Sequence, residues 1–181
     1  MHVSYRRRLP HFQAGDRPVF LTWRLHGSLP RNRVFGSGAS AGHAFVAMDS
    51  LLDRTRSGPL HLGRPEIAEL MVEALLHGQE SMKYYELHAW VVMANHIHVL
   101  LAPSVAVAKI THSLKRFTAR EANRILHVTG QPFWQDESYD HLVRNTGEFD
   151  RIVRYIENNP VTAGLALAPG DFPWSSAALR R

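Results

Sequence analysis

Two histidines separated by a single residue, His96 and His98, are the feature of the sequence that most clearly suggests chemistry. They lie in an apolar stretch with the composition of a β-strand, and alternate residues of a strand point to the same face. Their Cα atoms are then about 6.5 Å apart, close enough for two imidazoles to share one metal ion. Neutral imidazoles are costly to bury without a partner, which favours a metal site. The alternative is that the two histidines are exposed or have hydrogen-bond partners in the core.

A second pair of polar residues, Tyr155 and Asn159, lies four residues apart in a segment with helical periodicity. Residues at this spacing share one face of a helix, so a phenol hydroxyl and an amide oxygen can both point toward a metal held by the sheet. The plainer alternative is a tyrosine at the edge of the core and an asparagine that caps the helix before Pro160. These residues alone leave both interpretations open.

The composition restricts the chemistry further. The chain contains no cysteine, which excludes disulfide frameworks, thiolate nucleophiles and cysteine-based zinc sites. Lys and Arg number 21 against 16 Asp and Glu, and the resulting net charge of +5 suits a polyanionic partner. The basic N-terminus is not followed by an apolar run, so we expect a cytoplasmic protein that does not contact the membrane.

The 181 residues, of which 45% are hydrophobic, are enough for one substantial core. We predict a single domain over residues 1–181, with an insertion-like segment around 30–65 and a short C-terminal extension after 165. The predicted elements are a strand at 19–25, helices at 44–54 and 66–83, two strands within 85–101 divided at Ala94-Asn95, a basic helix at 109–127, a strand within 133–143 and a helix at 148–159 stopped by Pro160. This order predicts an α+β, ferredoxin-like fold, an antiparallel sheet with helices packed on one face.

Three stretches carry a family resemblance. The first is Met93-Ala94-Asn95-His96-Ile97-His98-Val99-Leu100-Leu101, the second is Phe133-Trp134-Gln135 with Tyr139-Asp140-His141 and Arg144, and the third is Tyr155-Ile156-Glu157-Asn158-Asn159-Pro160 with Ala163-Gly164-Leu165. Together they resemble the single-tyrosine HUH transposases of the IS200-like superfamily, in particular the REP-associated tyrosine transposases. The resemblance runs from the first strand to Ser176. It departs at Ala94, where the family has proline, and this change is expected to leave the metal geometry intact while loosening the hairpin.

The resemblance implies a fold of the HUH endonuclease type and a metal-dependent reaction on DNA. His96, His98 and the amide oxygen of Asn159 would bind Mg²⁺ or Mn²⁺, and Tyr155 would attack the phosphodiester to form a 5′-phosphotyrosine and a free 3′-hydroxyl. A phenol with an ordinary pKa near ~10 is mostly protonated at neutral pH, so the cation or a base must favour the phenolate. The sequence does not identify that base.

The resemblance also implies single-stranded or hairpin DNA as substrate, bound by a monomer or a homodimer. Candidate phosphate contacts are Lys115, Arg116, Arg120, Arg124 and the N-terminal arm Arg6-Arg7-Arg8. Each of these residues has a plain alternative as part of a solvated helix face or a free terminus. The protein would act as a transposase or as a domesticated relative kept for a host task.

Two other functions compete with this one. A non-catalytic nucleic-acid-binding protein could use the same scaffold with vestigial histidines, although the complete set of His96, His98, Tyr155 and Asn159 argues against it. A metal-dependent phosphodiester hydrolase would activate water and form no covalent adduct, but no carboxylate ligand lies beside the histidines. Tyr139 is a tyrosine close to a histidine, yet we expect it to have a structural or DNA-contacting role.

Overall fold

The computed structural model describes residues 17–29, 51–52 and 58–180. Its strands are β1 (Val19–Arg24), β2 (Tyr85–Val92), β3 (His96–Pro103) and β4 (Tyr139–Leu142), and its long helices are α1 (Pro65–Glu80), α2 (Val107–Ile125) and α3 (Thr146–Thr162). The strands form one antiparallel sheet in the order β2-β3-β1-β4. The predicted α+β class with an antiparallel sheet is confirmed. Most of the helix predicted at 44–54 lies outside the described residues. The arm Arg6-Arg7-Arg8 lies outside them entirely.

Helices α1 and α2 cover one face of the sheet. Proline at the first position of α1 and Glu66 in its first turn favour the start of that helix. Its apolar stripe and that of α2 pack against the odd-numbered residues of β1 and β3, and this core includes Leu21, Trp23, Ile97, Val99, Ile67, Met71, Ile110 and Leu114. None of the helices in the described ranges is long and apolar enough to cross a membrane.

Helix α3 packs against the opposite face, which differs from the expectation that the helices lie on one face. Phe149, Val153 and Ile156 of α3 form a second core with Phe20 and Leu100 of the sheet. The reason is that β1, β2 and β3 are buried on both faces along most of their lengths, so both faces need cover. The expectation therefore holds for α1 and α2 and not for α3.

The β2–β3 hairpin turns at Ala94-Asn95, as predicted. Met93 N–H donates to the His96 carbonyl at 2.9 Å, so the hairpin is closed despite alanine in place of proline. The turn is also held from outside, because Leu25 N–H donates to the Asn95 carbonyl at 2.8 Å and Leu62 N–H to the Ala94 carbonyl at 3.1 Å. These bonds hold the segment that precedes His96.

The prediction that Pro160 stops the last helix was wrong by a few residues. Pro160 lies inside α3, which continues to Thr162 and has Ala163 as its C-cap. Pro160 lacks the N–H that would donate to the Ile156 carbonyl, so the helix continues for its last turn without that one bond. Asn159 therefore lies within the helix, one turn after Tyr155, and does not cap it.

Candidate active site

The two histidines lie side by side in β3 on the sheet face that α3 covers. Both are fully buried, and their register partners in β1 are Arg24 opposite His96 and Thr22 opposite His98. The two Nε2 atoms point toward each other across 3.1 Å. The strand alternation thus brings both imidazoles to one point, as the sequence predicts.

The donor atoms of this pair suit a bound cation. Two nitrogen ligands about 2.1 Å from one metal lie roughly 3 to 3.4 Å apart, depending on the bond angle, and the Nε2 separation falls in this range. Each Nδ1 is engaged elsewhere, that of His98 with the Thr22 hydroxyl at 2.7 Å and that of His96 with the Asn95 amide oxygen at 2.7 Å. Such outer contacts are typical of metal-binding histidines. Among the described residues no group of three or more His, Asp or Glu is placed to hold a metal ion.

Helix α3 brings Tyr155 to the histidine pair and carries Asn159 one turn later. The Tyr155 ring lies 5.5 Å from the His98 ring and 6.0 Å from the Phe20 ring, between ring centroids, and its hydroxyl oxygen is buried. Asn159 is 3% exposed, and its amide oxygen makes no hydrogen bond to the described residues. A buried acceptor without a donor is costly, and a cation would satisfy it.

Tyr139 lies on the same face, in β4. It is opposite Thr22 in the register, and its ring contacts the edge of the Phe20 ring at 6.2 Å between centroids. Burial is the main reason that the pKa of Tyr139 is raised, with a smaller effect from Asp140 and Glu148. The site therefore holds two tyrosines, and the Tyr155 ring is in contact with the His98 ring.

The basic residues of α2 are not brought to this site, because α2 packs on the other face of the sheet. Arg116 is exposed, and Arg120 and Arg124 both pair with Glu121 on the helix surface. The Lys115 ammonium instead donates to the carbonyls of Gln135 and Asp136 at 2.6 and 2.9 Å and to the Ser138 hydroxyl at 3.3 Å. Burial lowers the pKa of Lys115, and Asp136 partly offsets this. In this structure Lys115 holds the segment that leads into β4.

Three residues at the site were missed by the sequence analysis as parts of the chemistry. Thr22 and Asn95 contact the histidines directly. Arg24 lies opposite His96 in the register, is half-buried, and donates from Nη1 to the Ser28 hydroxyl at 3.2 Å. Burial lowers the pKa of Arg24, and the Glu137 carboxylate acts in the opposite sense. Alternation in β1 places Thr22 and Arg24 on one face, but only the pairing of β1 with β3 brings them to the histidines.

Comparison with known proteins gives relatives of the same type. Residues 65–159, more than half of the chain, match the family model described as transposase IS200 like. The chain is also 28% identical over 96 residues to a REP-associated tyrosine transposase of Escherichia coli K12. That alignment covers 51% of this chain and 54% of the relative, so the chain spans about half the length of the curated protein that it matches.

The fold has a counterpart among solved structures. The structure of a REP-associated tyrosine transposase bound to a REP hairpin is similar with a TM-score of 0.59 and 20% identity, over 96% of this chain and 82% of that chain. At this identity the likeness shows a common fold. The family match extends from the start of α1 to Asn159 and so includes His96, His98 and Tyr155. On the strength of that match, the chain belongs to the family of IS200-like transposases.

Proposed function

We propose that this protein is a metal-dependent endonuclease and strand transferase for single-stranded or hairpin DNA, with Tyr155 as the nucleophile. One observation carries the proposal: the Tyr155 ring packs 5.5 Å from the ring of His98, whose Nε2 faces that of His96 at 3.1 Å. The residue that we propose as nucleophile therefore lies beside the two nitrogens that we propose as metal ligands. The protein would act as a transposase or as a domesticated relative of one.

His96, His98 and Asn159 would hold the cation, and the donor types are two imidazole nitrogens and one amide oxygen. This set suits Mn²⁺ or Mg²⁺ better than a metal that prefers thiolates, and the chain has no cysteine. When bound, the cation would polarise the scissile phosphate and stabilise negative charge on its oxygens. Asn159 would then gain a partner for its buried amide oxygen.

Tyr155 would attack phosphorus with its phenol oxygen. The new bond joins that oxygen to the 5′-phosphate, the bond from phosphorus to the 3′-oxygen breaks, and the departing 3′-oxygen takes up a proton. The phenol proton leaves to a base or to water. Because the phosphotyrosine retains the energy of the phosphodiester, a 3′-hydroxyl can later attack it and join a DNA end. The hydroxyl oxygen is buried, so the groups around it must open to admit the substrate.

The substrate class follows from the relatives and from the charge at the site. A REP-associated transposase of similar fold is bound to a REP hairpin in its structure, and we extend hairpin DNA to this chain as part of the proposal. Arg24, next to His96 on the same sheet face, is well placed to contact a phosphate beside the bond that is cut.

The test is formation of a covalent adduct. Wild-type protein is incubated with end-labelled hairpin DNA and Mn²⁺, with and without EDTA, and the products are separated on a denaturing gel. We expect a slowly migrating protein-DNA band that requires Mn²⁺ and that Tyr155→Phe abolishes. Tyr139→Phe is the matched control, because Tyr139 contacts the same Phe20 ring, and this variant should keep the adduct.

The other outcomes point to the competing functions. Cleavage without an adduct, equal in wild type and Tyr155→Phe, would indicate a hydrolase that activates water. Hairpin binding with no cleavage under any metal condition would indicate a binding protein. An adduct lost in Tyr139→Phe and kept in Tyr155→Phe would assign the nucleophile to β4.

A further inference from the structure

Four buried side chains form a continuous hydrogen-bonded row across the sheet. Thr22 Oγ1 lies 2.7 Å from His98 Nδ1, His98 Nε2 lies 3.1 Å from His96 Nε2, and His96 Nδ1 lies 2.7 Å from Asn95 Oδ1. All four residues are at most 2% exposed. Each contact needs one hydrogen between its two atoms, so the positions of these hydrogens depend on one another.

Asn95 fixes the direction of the row at one end. Its amide Nδ2 donates to the Leu52 carbonyl at 3.0 Å, which turns the amide oxygen toward His96. An amide oxygen only accepts, so a neutral His96 carries its hydrogen on Nδ1 and presents a lone pair at Nε2. The tautomer of His96 therefore does not depend on what binds at the site.

His98 has the opposite tautomer when no cation is present. Because His96 Nε2 accepts, His98 must donate from Nε2 across the 3.1 Å contact. Its Nδ1 then has no hydrogen and accepts from the Thr22 hydroxyl. Thr22 is suited to this end of the row, because a hydroxyl can either donate or accept.

We propose that Asn95 and Thr22 are positioning residues that set the tautomers of the two histidines, Asn95 in a fixed way and Thr22 in a reversible way. The part of this inference that concerns Thr22 rests on the proposed metal site. A cation between the imidazoles requires lone pairs on both Nε2 atoms. With the cation bound, one proton would leave His98 Nε2 to water and one would reach Nδ1 from water, and Nδ1 would then donate to a Thr22 hydroxyl that has rotated to accept.

Thr22→Val tests the reversible end. Valine has nearly the shape of threonine and suits a buried strand, but it cannot accept from the metal-bound form of His98. We expect the affinity for Mn²⁺, measured by electron paramagnetic resonance of the free ion, to fall roughly 10- to 100-fold. Thr22→Ser should restore most of it, because serine keeps the hydroxyl.

Thr118→Val is the matched control for folding. Thr118 is 4% exposed, lies in α2 on the other face of the sheet, and also uses its hydroxyl, which donates to the Leu114 carbonyl at 2.7 Å and accepts from Trp134 Nε1. Its loss should lower stability and leave Mn²⁺ affinity unchanged. Equal Mn²⁺ affinity in wild type and Thr22→Val would overturn the role of Thr22.

The tautomers themselves are measured without any reaction. Long-range ¹H–¹⁵N correlation spectra of the metal-free protein distinguish hydrogen on Nδ1 from hydrogen on Nε2, with His96→Gln and His98→Gln used for assignment. We expect Nδ1–H for His96 and Nε2–H for His98, and a change of His98 to Nδ1–H when Mg²⁺ is added. The same tautomer in both metal-free histidines would overturn the inference.

These measurements separate failure of the inference from failure of the proposed function. Wild-type protein that binds no Mn²⁺ or Mg²⁺ but has the two expected tautomers would refute the metal site and support the row in its metal-free form. Protein that binds Mn²⁺ and forms the DNA adduct but has Nε2–H on His96 would support the function and refute the role of Asn95.

Discussion

Replacement of Asn159 by leucine distinguishes a metal ligand from an ordinary buried amide. The Asn159 amide oxygen is buried and has no hydrogen-bond donor among the described residues. Leaving such an acceptor unsatisfied costs about 1–3 kcal/mol. Leucine has the same number and branching of side-chain heavy atoms as asparagine, leaves no unsatisfied acceptor and has a better helix propensity. Its larger volume offsets part of this gain, so in EDTA we expect Asn159→Leu to be more stable than wild type by about 1 kcal/mol. This corresponds to a rise in Tm of roughly 2–4 °C for a chain of this size.

Saturating Mn²⁺ should reverse the order. A cation present at 100 times its Kd stabilises the folded wild type by about 2.7 kcal/mol. A variant that binds the cation about 100-fold more weakly gains only about 0.4 kcal/mol under the same conditions. Wild type should then exceed Asn159→Leu by about 1.3 kcal/mol, because the gain from the cation outweighs the relief of the buried oxygen.

The assay is chemical denaturation of both proteins in EDTA and in Mn²⁺. Asn123→Leu is the matched control, since Asn123 is a helical, 7% exposed asparagine whose amide donates to the Gln131 carbonyl at 2.7 Å. Because that bond is lost, this variant should be less stable than wild type by about 1 kcal/mol in both conditions. An Asn159→Leu protein that behaves like Asn123→Leu, or that gains as much from Mn²⁺ as wild type, would refute Asn159 as a ligand.

Two further predictions concern stability away from the cation. Burial opposes the charged form of Glu148, but hydrogen bonds from the Arg144 backbone N–H and the His141 ring outweigh it and lower the pKa of Glu148. The charged form therefore stabilises the fold above the unfolded pKa of about 4.3. This stabilisation is lost as the pH falls through the lower pKa of the folded state. Glu148→Gln should thus lower the free energy of unfolding at pH 7 by up to about 1 kcal/mol, and in urea titrations the difference from wild type should shrink as the pH falls below the unfolded pKa. In α1, a Cβ on Gly78 would overlap the Tyr85 hydroxyl, so Gly78→Ala should lower the free energy of unfolding by about 1–3 kcal/mol in the same titrations and leave Mn²⁺ affinity unchanged.

Local periodicity was sufficient to predict the parts of the site that lie close together in the sequence. Alternation along β3 put His96 and His98 on one face of the strand. The spacing of four residues put Tyr155 and Asn159 on one face of α3. The contact of Thr22 with His98 joins residues 76 positions apart, so it depends on the pairing of β1 with β3. The side on which α3 packs was also not predictable, because it depends on both sheet faces being apolar rather than on any pattern within α3.

The division of the sheet into two faces changes what the basic helix can do. The arginines of α2 belong to a helix on the opposite face of the sheet from the histidines, so we do not expect them to contact the phosphate that Tyr155 would attack. The β2 edge is covered by the C-terminal segment, in which the Trp174 carbonyl accepts from Val92 N–H and the Ser176 hydroxyl accepts from Trp90 N–H. We therefore do not expect a DNA strand that touches both faces to pass the β2 edge. We expect α2 to contact a part of the substrate distant from the cut, while Arg24 contacts the part beside it.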